Sequence, residues 1–203
     1  MGTHHSLGEK NAAIAVEMLE KVTSIFEFYG IKYCLTAGTL LGIVRENRLL
    51  PWDTDLDLRI FRNDVTKLSR AMWKVRLAGY LVRARRQEIE DPPLRKGERR
   101  IVKVFNKAGL LKKGEVVMDC FIAIRHGDQY VWSCGGLKFY TRKAVPSHFY
   151  DNTQPITFRG KGYIAPAEVE DYLTFRYGDW RTPVKQWDYT KDDGAIISPE
   201  TES

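Results

Sequence analysis

The first part of the chain carries apolar side chains with a helical period. From Asn11 to Tyr29 they recur every three or four residues, which predicts an amphipathic helix. Gly30 is suited to end this helix, because glycine readily adopts the left-handed conformation of a C-cap. Ile31 to Thr36 is short and apolar and predicts a strand. It runs directly into Ala37-Gly38-Thr39, and Leu40 to Val44 is predicted to be a short helix.

A different alternation, with a period of two, follows in the segment from Asp55 to Ile60. Charged residues take every second position there, and apolar residues take the positions between them. This pattern predicts a strand with two distinct faces. Because side chains two positions apart share a face, Asp55 and Asp57 are expected to point the same way.

The remaining pattern continues to alternate helices and strands. We predict a helix from Asn63 or Asp64 to Ala78 closed by Gly79, a strand over 80–86, a polar loop over 87–98, neighbouring antiparallel strands over 100–106 and 115–124, weaker strands over 130–134 and 156–163, and a helix from Pro166 to Phe175. No repeat or Gly/Ser-rich linker divides the chain. We therefore predict one domain over residues 11–183, a disordered segment or tag remnant over 1–10, and an irregular tail over 184–203.

Composition narrows the class of protein. The chain has 203 residues, of which 43% are hydrophobic and 29% charged, values typical of a soluble globular domain. No apolar run approaches the ~18 residues that span a bilayer, and the N-terminal segment has no apolar core of a signal peptide. The three cysteines show no CxxC pair, so we expect buried free thiols and a cytoplasmic location.

The net charge of +6 suits an anionic ligand, although a solvated basic surface explains it equally well. Eight basic residues fall between Arg83 and Lys103, and the same two interpretations apply to them. A nucleic-acid-binding module is the noncatalytic alternative, but these residues lack the interleaved aromatics of a base-stacking surface.

Candidate chemistry concentrates in Asp53, Asp55 and Asp57. Carboxylates on one strand face repel each other unless a divalent cation lies between them, and Mg²⁺ prefers carboxylate, phosphate and water oxygens. An acidic loop at a strand edge is the alternative. A glycine turn between a strand and a helix exposes backbone N–H groups toward an anion. Asp119 interrupts the apolar run from Val116 to Ile122, and a buried carboxylate is costly unless it is paired or metal-bound.

Two segments resemble a known family. The run Gly38-Thr39-Leu40-Leu41-Gly42, then Arg45 and Pro51-Trp52-Asp53-Thr54-Asp55-Leu56-Asp57, is similar to the signature of the LicD and fukutin-related phosphotransferases, a branch of the nucleotidyltransferase superfamily. The segment from Tyr172 to Trp180 is similar to that family's C-terminal Tyr-Leu and Tyr-Gly-x-Trp pattern. The resemblance implies an α/β (α+β) fold, a nucleotidyltransferase-like mixed sheet flanked by helices, in which the Asp55 and Asp119 strands are adjacent.

The same resemblance implies an activity. It is the transfer of a phospho-alcohol, such as phosphocholine or an alditol phosphate, from a CDP-linked donor to a glycan or glycolipid hydroxyl, with release of CMP. Nucleic acid is not an expected partner, and peripheral association with membrane-bound glycan intermediates is compatible with this role.

The resemblance also implies roles for individual residues of the site. Asp55 and Asp57 would hold Mg²⁺ or Mn²⁺ against the donor diphosphate, and Gly38 and Thr39 would contact the phosphate oxygens of that diphosphate. Asp53 would form part of the substrate site. Asp119 matches the third superfamily carboxylate and would be the general base, a metal ligand, or both. Arg45 would either neutralise the transferring phosphoryl group or pair with Asp53 or Glu46. We expect Trp52 to pack in the core.

Two further enzyme classes remain as alternatives. A nucleotidyltransferase would share the fold and carboxylates but would leave the nucleotide on its acceptor and release pyrophosphate. A glycosyltransferase with an Asp-x-Asp metal site gives no necessary role to the Gly-Thr turn or to Asp119.

Overall fold

The computed structural model describes residues 6–109, 112–137, 139–184 and 187–197, without the side chains of Glu9 and Lys10. The predicted N-terminal segment and C-terminal tail therefore lie partly outside the described residues. The helices are α1 (Glu9–Phe28), α2 (Ala37–Glu46), α3 (Val65–Leu77), α4 (His148–Asp151) and α5 (Val169–Tyr177). The strands are β1 (Tyr33–Leu35), β2 (Leu56–Phe61), β3 (Leu81–Arg86), β4 (Arg99–Lys107), β5 (Lys113–His126), β6 (Gln129–Cys134), β7 (Thr141–Pro146), β8 (Thr153–Phe158) and β9 (Lys161–Pro166).

A seven-stranded mixed sheet forms the centre of the molecule. Its path is β1-β2-β5-β4-β3. The C-terminal end of the long strand β5, residues 124–126, also pairs with β6, which pairs with β7. Only β2 and β5 run parallel among the strand pairs that the structure describes. Strands β8 and β9 form a separate hairpin. The predicted α/β fold with a mixed sheet, and the adjacency of the two aspartate strands, are confirmed.

The hydrophobic core lies between α1, α3 and the sheet. The apolar stripe of α1 is fully buried, including Met18, Leu19 and Phe26. Alternation in β2 sends Leu56, Leu58 and Ile60 into the same core cluster. Burying an apolar side chain of this size contributes about 1.5–3 kcal/mol. The opposite face of β2 is therefore the one that carries its charged residues.

The predicted helix and strand pattern agrees with most of these elements, with three corrections. The predicted strand over 156–163 is wrong, because Arg159 and Gly160 adopt positive φ and reverse the chain into the β8–β9 hairpin. The last helix does not begin at Pro166, which pairs with Thr153 at the end of β9. The helix that follows the glycine turn begins at Ala37, three positions before the predicted start. Strand β7 and helix α4 were not predicted.

The segment after α5 has no helix or strand among residues 178–184 and 187–197. It nevertheless packs on the sheet, because Lys143 of β7 and Ile196 form an isolated β-bridge. Cys34, Cys120 and Cys134 are buried free thiols, as predicted. None of the described helices is both long and apolar enough to cross a membrane.

Candidate active site

The register of the parallel strands brings the predicted carboxylates together. Asp57 of β2 lies directly opposite Asp119 of β5. Both are largely buried, with 8% and 4% of their surface exposed. Asp55 immediately precedes β2, and the loop that leads to it carries Asp53. The side chains of all four aspartates line one cleft of about 710 Å³.

The cleft is walled by residues from distant parts of the chain. The start of α2 contributes Ala37 and Gly38, and the sheet contributes Arg59, Lys103 and Phe121. The C-terminal part contributes aromatic and charged side chains: Arg176, Tyr177, Trp180, Trp187, Tyr189 and Asp193. The volume falls within the usual range for small-molecule sites.

Thr39 positions β2 relative to α2. Its hydroxyl oxygen accepts a hydrogen bond of 2.8 Å from the backbone N–H of Asp57, and its side chain is buried. The hydroxyl therefore fixes the backbone that carries the central carboxylate. A direct contact between Thr39 and substrate stays a prediction.

Gly38 and Gly42 allow close approach between α2 and the loop that returns to β2. A Cβ atom on Gly38 would lie 1.8 Å from Oδ2 of Asp53, and one on Gly42 would lie 2.5 Å from the carbonyl oxygen of Arg48. The carboxylate of Asp53 thus lies against the first turn of α2, where the helix dipole favours negative charge. Asp53 Oδ1 also accepts a 2.9 Å bond from the Thr54 N–H.

Asp119 has a cationic neighbour in the next strand. Lys103 of β4 lies opposite Asp119 in the register, and its ammonium donates to Oδ2 at 2.5 Å. Both side chains are mostly buried. The pair offsets part of the cost of burying Asp119, and Lys103 is a cation positioned beside the carboxylates.

Burial and mutual repulsion make these aspartates difficult to ionise. Burial, followed by the charges of Asp119 and Asp53, raises the pKa of Asp55 from 3.8 to about 7. Burial and three neighbouring aspartates raise the pKa of Asp57 well above its ordinary value. Burial also raises the pKa of Asp53, against the opposing Thr54 hydrogen bond. The cleft therefore holds concentrated negative charge that a cation would relieve.

The donor set fits a hard divalent cation, since carboxylate oxygens are the ligands that Mg²⁺ and Mn²⁺ prefer. The described residues contain no group of three His, Cys, Asp or Glu side chains already arranged around one metal position. The fit therefore rests on the chemistry of the carboxylates and their shared cleft. Asp55, Asp57 and Asp119 stay the predicted ligands.

Arg45 and Trp52 border the same cleft. Arg45 pairs with Glu46 through two bonds and donates from Nη1 to the Trp180 carbonyl at 3.2 Å. The structure therefore shows the Glu46 alternative, and a role toward a phosphoryl group stays a prediction. The expectation that Trp52 packs in the core is wrong, because 56% of its surface is exposed.

The basic stretch between Arg83 and Lys103 divides between two environments. Arg85, Arg100 and Lys103 line the cleft. Arg99 instead donates to the Ser69 hydroxyl of α3, and Arg86 donates to the Gly97 carbonyl. The stretch therefore contributes both to the cleft wall and to contacts outside it, and recognition of an anion by its residues stays a prediction.

Sequence reasoning missed the charged residues at the other end of the cleft. Asp193 accepts bonds of 2.6 Å from both Lys143 Nζ and Arg176 Nε. Burial opposes ionisation of Asp193, but Arg176 and Lys143 outweigh it and lower its pKa. Arg176 lies inside the C-terminal motif, which was a usable signal. Lys143 and Asp193 lie 50 positions apart and share no local pattern.

Three curated proteins are similar to this chain in sequence. Human ribitol-5-phosphate transferase FKTN is 26% identical over 179 residues, which cover 87% of this chain and 35% of that protein. Human ribitol 5-phosphate transferase FKRP is 41% identical over 49 residues, covering 24% of this chain and 10% of that protein. Lipopolysaccharide cholinephosphotransferase LicD of Haemophilus influenzae is 33% identical over 51 residues, which cover 25% of this chain and 19% of that protein. The chain spans about a third of the length of FKTN.

The fold has a solved counterpart in the antibiotic-resistance factor ANT(2'')-Ia. The solution structure of that protein matches 88% of this chain and 80% of its own, with a TM-score of 0.50 and 12% identity, a likeness of fold alone. The model of the LicD/FKTN/FKRP nucleotidyltransferase domain matches residues 30–168, which include β2, β5 and all four cleft aspartates. The chain therefore belongs to the LicD/FKTN/FKRP nucleotidyltransferase domain family.

Proposed function

We propose that the protein transfers a phospho-alcohol from a CDP-linked donor to a glycan or glycolipid hydroxyl and releases CMP. The observation that carries the proposal is the parallel pairing of β2 with β5, which sets Asp57 opposite Asp119 in a cleft with Asp53 and Asp55. Family membership supports the type of reaction, since relatives are named as ribitol-5-phosphate and choline-phosphate transferases. Both donors would be CDP-alcohols.

The proposed binding roles follow from position in the cleft. Asp55 and Asp57, with Asp119, would hold Mg²⁺ or Mn²⁺. When bound, the ion supplies charge neutralisation for the diphosphate and for the departing CMP. Thr39 holds the Asp57 backbone in place through its hydroxyl, so the carboxylate is preorganised. Phosphoryl transfer depends mainly on such positioning and on charge stabilisation.

We assign Asp119 and Lys103 to the acceptor side of the reaction. A carboxylate at Asp119 would accept the proton of the incoming hydroxyl, a contribution typically worth ~10²–10⁴-fold in rate. Lys103 donates to Oδ2 of this carboxylate, which fixes its orientation. Lys103 also adds a positive charge beside the developing negative charge of the phosphoryl group. The cleft wall of aromatic residues provides apolar surface for the nucleoside and acceptor.

The test is product analysis with a panel of activated donors. The protein is incubated with Mg²⁺ and either CDP-choline, a CDP-alditol, CTP or ATP, together with glycan acceptors. We expect CMP release from a CDP-alcohol that depends on both acceptor and metal. Release of pyrophosphate from CTP or ATP would instead establish nucleotidyl transfer.

Asp57→Asn is the matched variant, because it removes one charge and retains side-chain shape. We expect it to fold and to lose turnover. Asp128→Asn is the control, since Asp128 is an exposed residue in the turn between β5 and β6. Full activity of Asp57→Asn, or full activity of the wild type in excess chelator, would contradict the proposal.

A further inference from the structure

Arg59 is a buried cation at the centre of the sheet. It lies on the same face of β2 as Asp57, two positions farther along, a separation of about 7 Å for an extended strand. Its surface is 2% exposed, yet the residue lines the cleft. Guanidinium groups remain charged in proteins. The structure therefore carries a full positive charge beyond the acidic end of the cleft.

The guanidinium of Arg59 has unused hydrogen-bond donors. Nε and Nη1 are buried and have no acceptor among the described residues. An unsatisfied buried donor costs about 1–3 kcal/mol, and more when it is charged. The group is held by aromatic contacts instead: its Cζ atom lies 3.7 Å from the Trp132 ring centre and 5.7 Å from that of Phe121. The guanidinium therefore lies against two aromatic rings, and Nε and Nη1 are without an oxygen acceptor in the described part of the chain.

Neighbouring charges make this end of the cleft basic. The guanidinium of Arg176 lies 5.6 Å from the same Trp132 ring, and Lys143 lies opposite Trp132 in the β6–β7 register. Arg176 and Lys143 share a single carboxylate, Asp193. With Arg59, three buried cations and one buried anion line this end of the cleft. The balance of two positive charges favours an anionic group.

We propose that Arg59, stacked on Trp132, binds a phosphate-type oxyanion of a substrate at this basic end of the cleft. The planar guanidinium suits such a group, because its edge matches two oxygens of a phosphate or carboxylate. The inference deepens the proposed function by assigning a second subsite, which is basic and binds an anion, next to the acidic subsite of the four aspartates. The inference rests on the proposed function only in naming the substrate that carries the oxyanion.

The test measures binding of inorganic phosphate by calorimetry in the presence of chelator, so that no metal contributes. Arg59→Met removes the charge at similar length, and we expect phosphate affinity to fall about 10–100-fold, as for loss of a charged hydrogen bond. Arg70→Met is the matched control, because Arg70 is an exposed residue of α3 and is not among the residues that line the cleft. We expect that control to stay within about twofold of wild type. Thermal unfolding checks that each variant folds.

A measurement on the wild type keeps the proposal testable if Arg59→Met fails to fold. The Nε–H resonance of Arg59, assigned through Arg59→Lys, is expected to shift on titration with phosphate. The proposal is overturned by a folded Arg59→Met that binds phosphate with wild-type affinity, by absence of phosphate binding to the wild type, or by a resonance that does not move.

The oxyanion could belong to the donor or to the acceptor. Measuring the affinity of the protein for the CDP-alcohol donor in the presence of Mg²⁺ distinguishes these two sources. If the oxyanion is the donor diphosphate, Arg59→Met weakens binding of the CDP-alcohol by the same factor as phosphate. If it is an acidic group of the acceptor, donor affinity stays unchanged and transfer to an acidic acceptor is lost. Phosphate binding through Arg59 without turnover of any CDP-alcohol would refute the proposed function and retain the subsite.

Discussion

Replacing Asp55 by Asn should make the metal-free protein more stable at neutral pH. Burial and the charges of Asp119 and Asp53 raise the pKa of Asp55 from 3.8 to about 7. An acid whose pKa is higher in the folded state destabilises the fold when it ionises. The cost is absent below about pH 4, grows as pH rises, and is complete above about pH 7. Asn has nearly the same shape and carries no charge.

The magnitude follows from the size of that shift. A tenfold change in proton affinity corresponds to about 1.4 kcal/mol, so a rise from 3.8 to about 7 corresponds to at most about 4 kcal/mol. Asp55→Asn should therefore exceed the wild type in free energy of unfolding at pH 8 by between about 1 and 4 kcal/mol. At pH 4 the two proteins should agree within about 0.5 kcal/mol.

The assay is urea unfolding followed by circular dichroism, in chelator, at pH 4 and pH 8. Asp128→Asn controls for the loss of one negative charge at an exposed position. Added Mg²⁺ should then stabilise the wild type at pH 8 and stabilise Asp55→Asn much less, because a bound ligand stabilises only the state that binds it. A variant no more stable than wild type at pH 8 would refute the account of repelling carboxylates.

Three further predictions concern single contacts. Thr39→Val should cost about 1–3 kcal/mol of folding free energy, because it leaves the buried Asp57 N–H without its acceptor; Thr39→Ser should retain most of the stability in urea unfolding. Asp193→Ala should lower the free energy of unfolding by about 3–5 kcal/mol, because it leaves Lys143 and Arg176 as buried cations without their shared carboxylate. The control Asp192→Ala, at an exposed position, should lower it by less than about 1 kcal/mol. Asp119→Asn should slow single-turnover transfer by about 10²–10⁴-fold and raise the Mg²⁺ concentration needed for half-maximal rate.

Each of these predictions has a contrary result. Equal losses in Thr39→Val and Thr39→Ser would assign the effect to packing rather than to the hydroxyl. Wild-type stability of Asp193→Ala would mean that water or another acceptor satisfies both cations. If Asp119→Asn keeps wild-type rate and metal dependence, Asp119 is outside the reaction.

The site could be predicted where local pattern and strand geometry suffice. The alternation around Asp57 identified the strand and its charged face, and the interrupted apolar run identified Asp119. Their adjacency needed only that the two strands pair. Contacts between residues far apart in the chain, such as the contact of Lys143 with Asp193, produce no local sequence pattern and could not be predicted. The Arg159-Gly160 turn was not predicted, because the residues on both sides of it favour β-strands and were predicted to form one continuous strand.

The close approach of Gly38 to Asp53 gives the glycines of the motif a steric role in addition to the predicted contact with phosphate. Positions 38 and 42 act as spacers, and the missing methyl groups set how near the returning loop, and with it Asp53, comes to α2. Residues 38 and 53 should therefore vary together among related sequences. A chain with alanine at position 38 should carry at position 53 either a smaller residue or an aspartate whose carboxylate has turned away from α2.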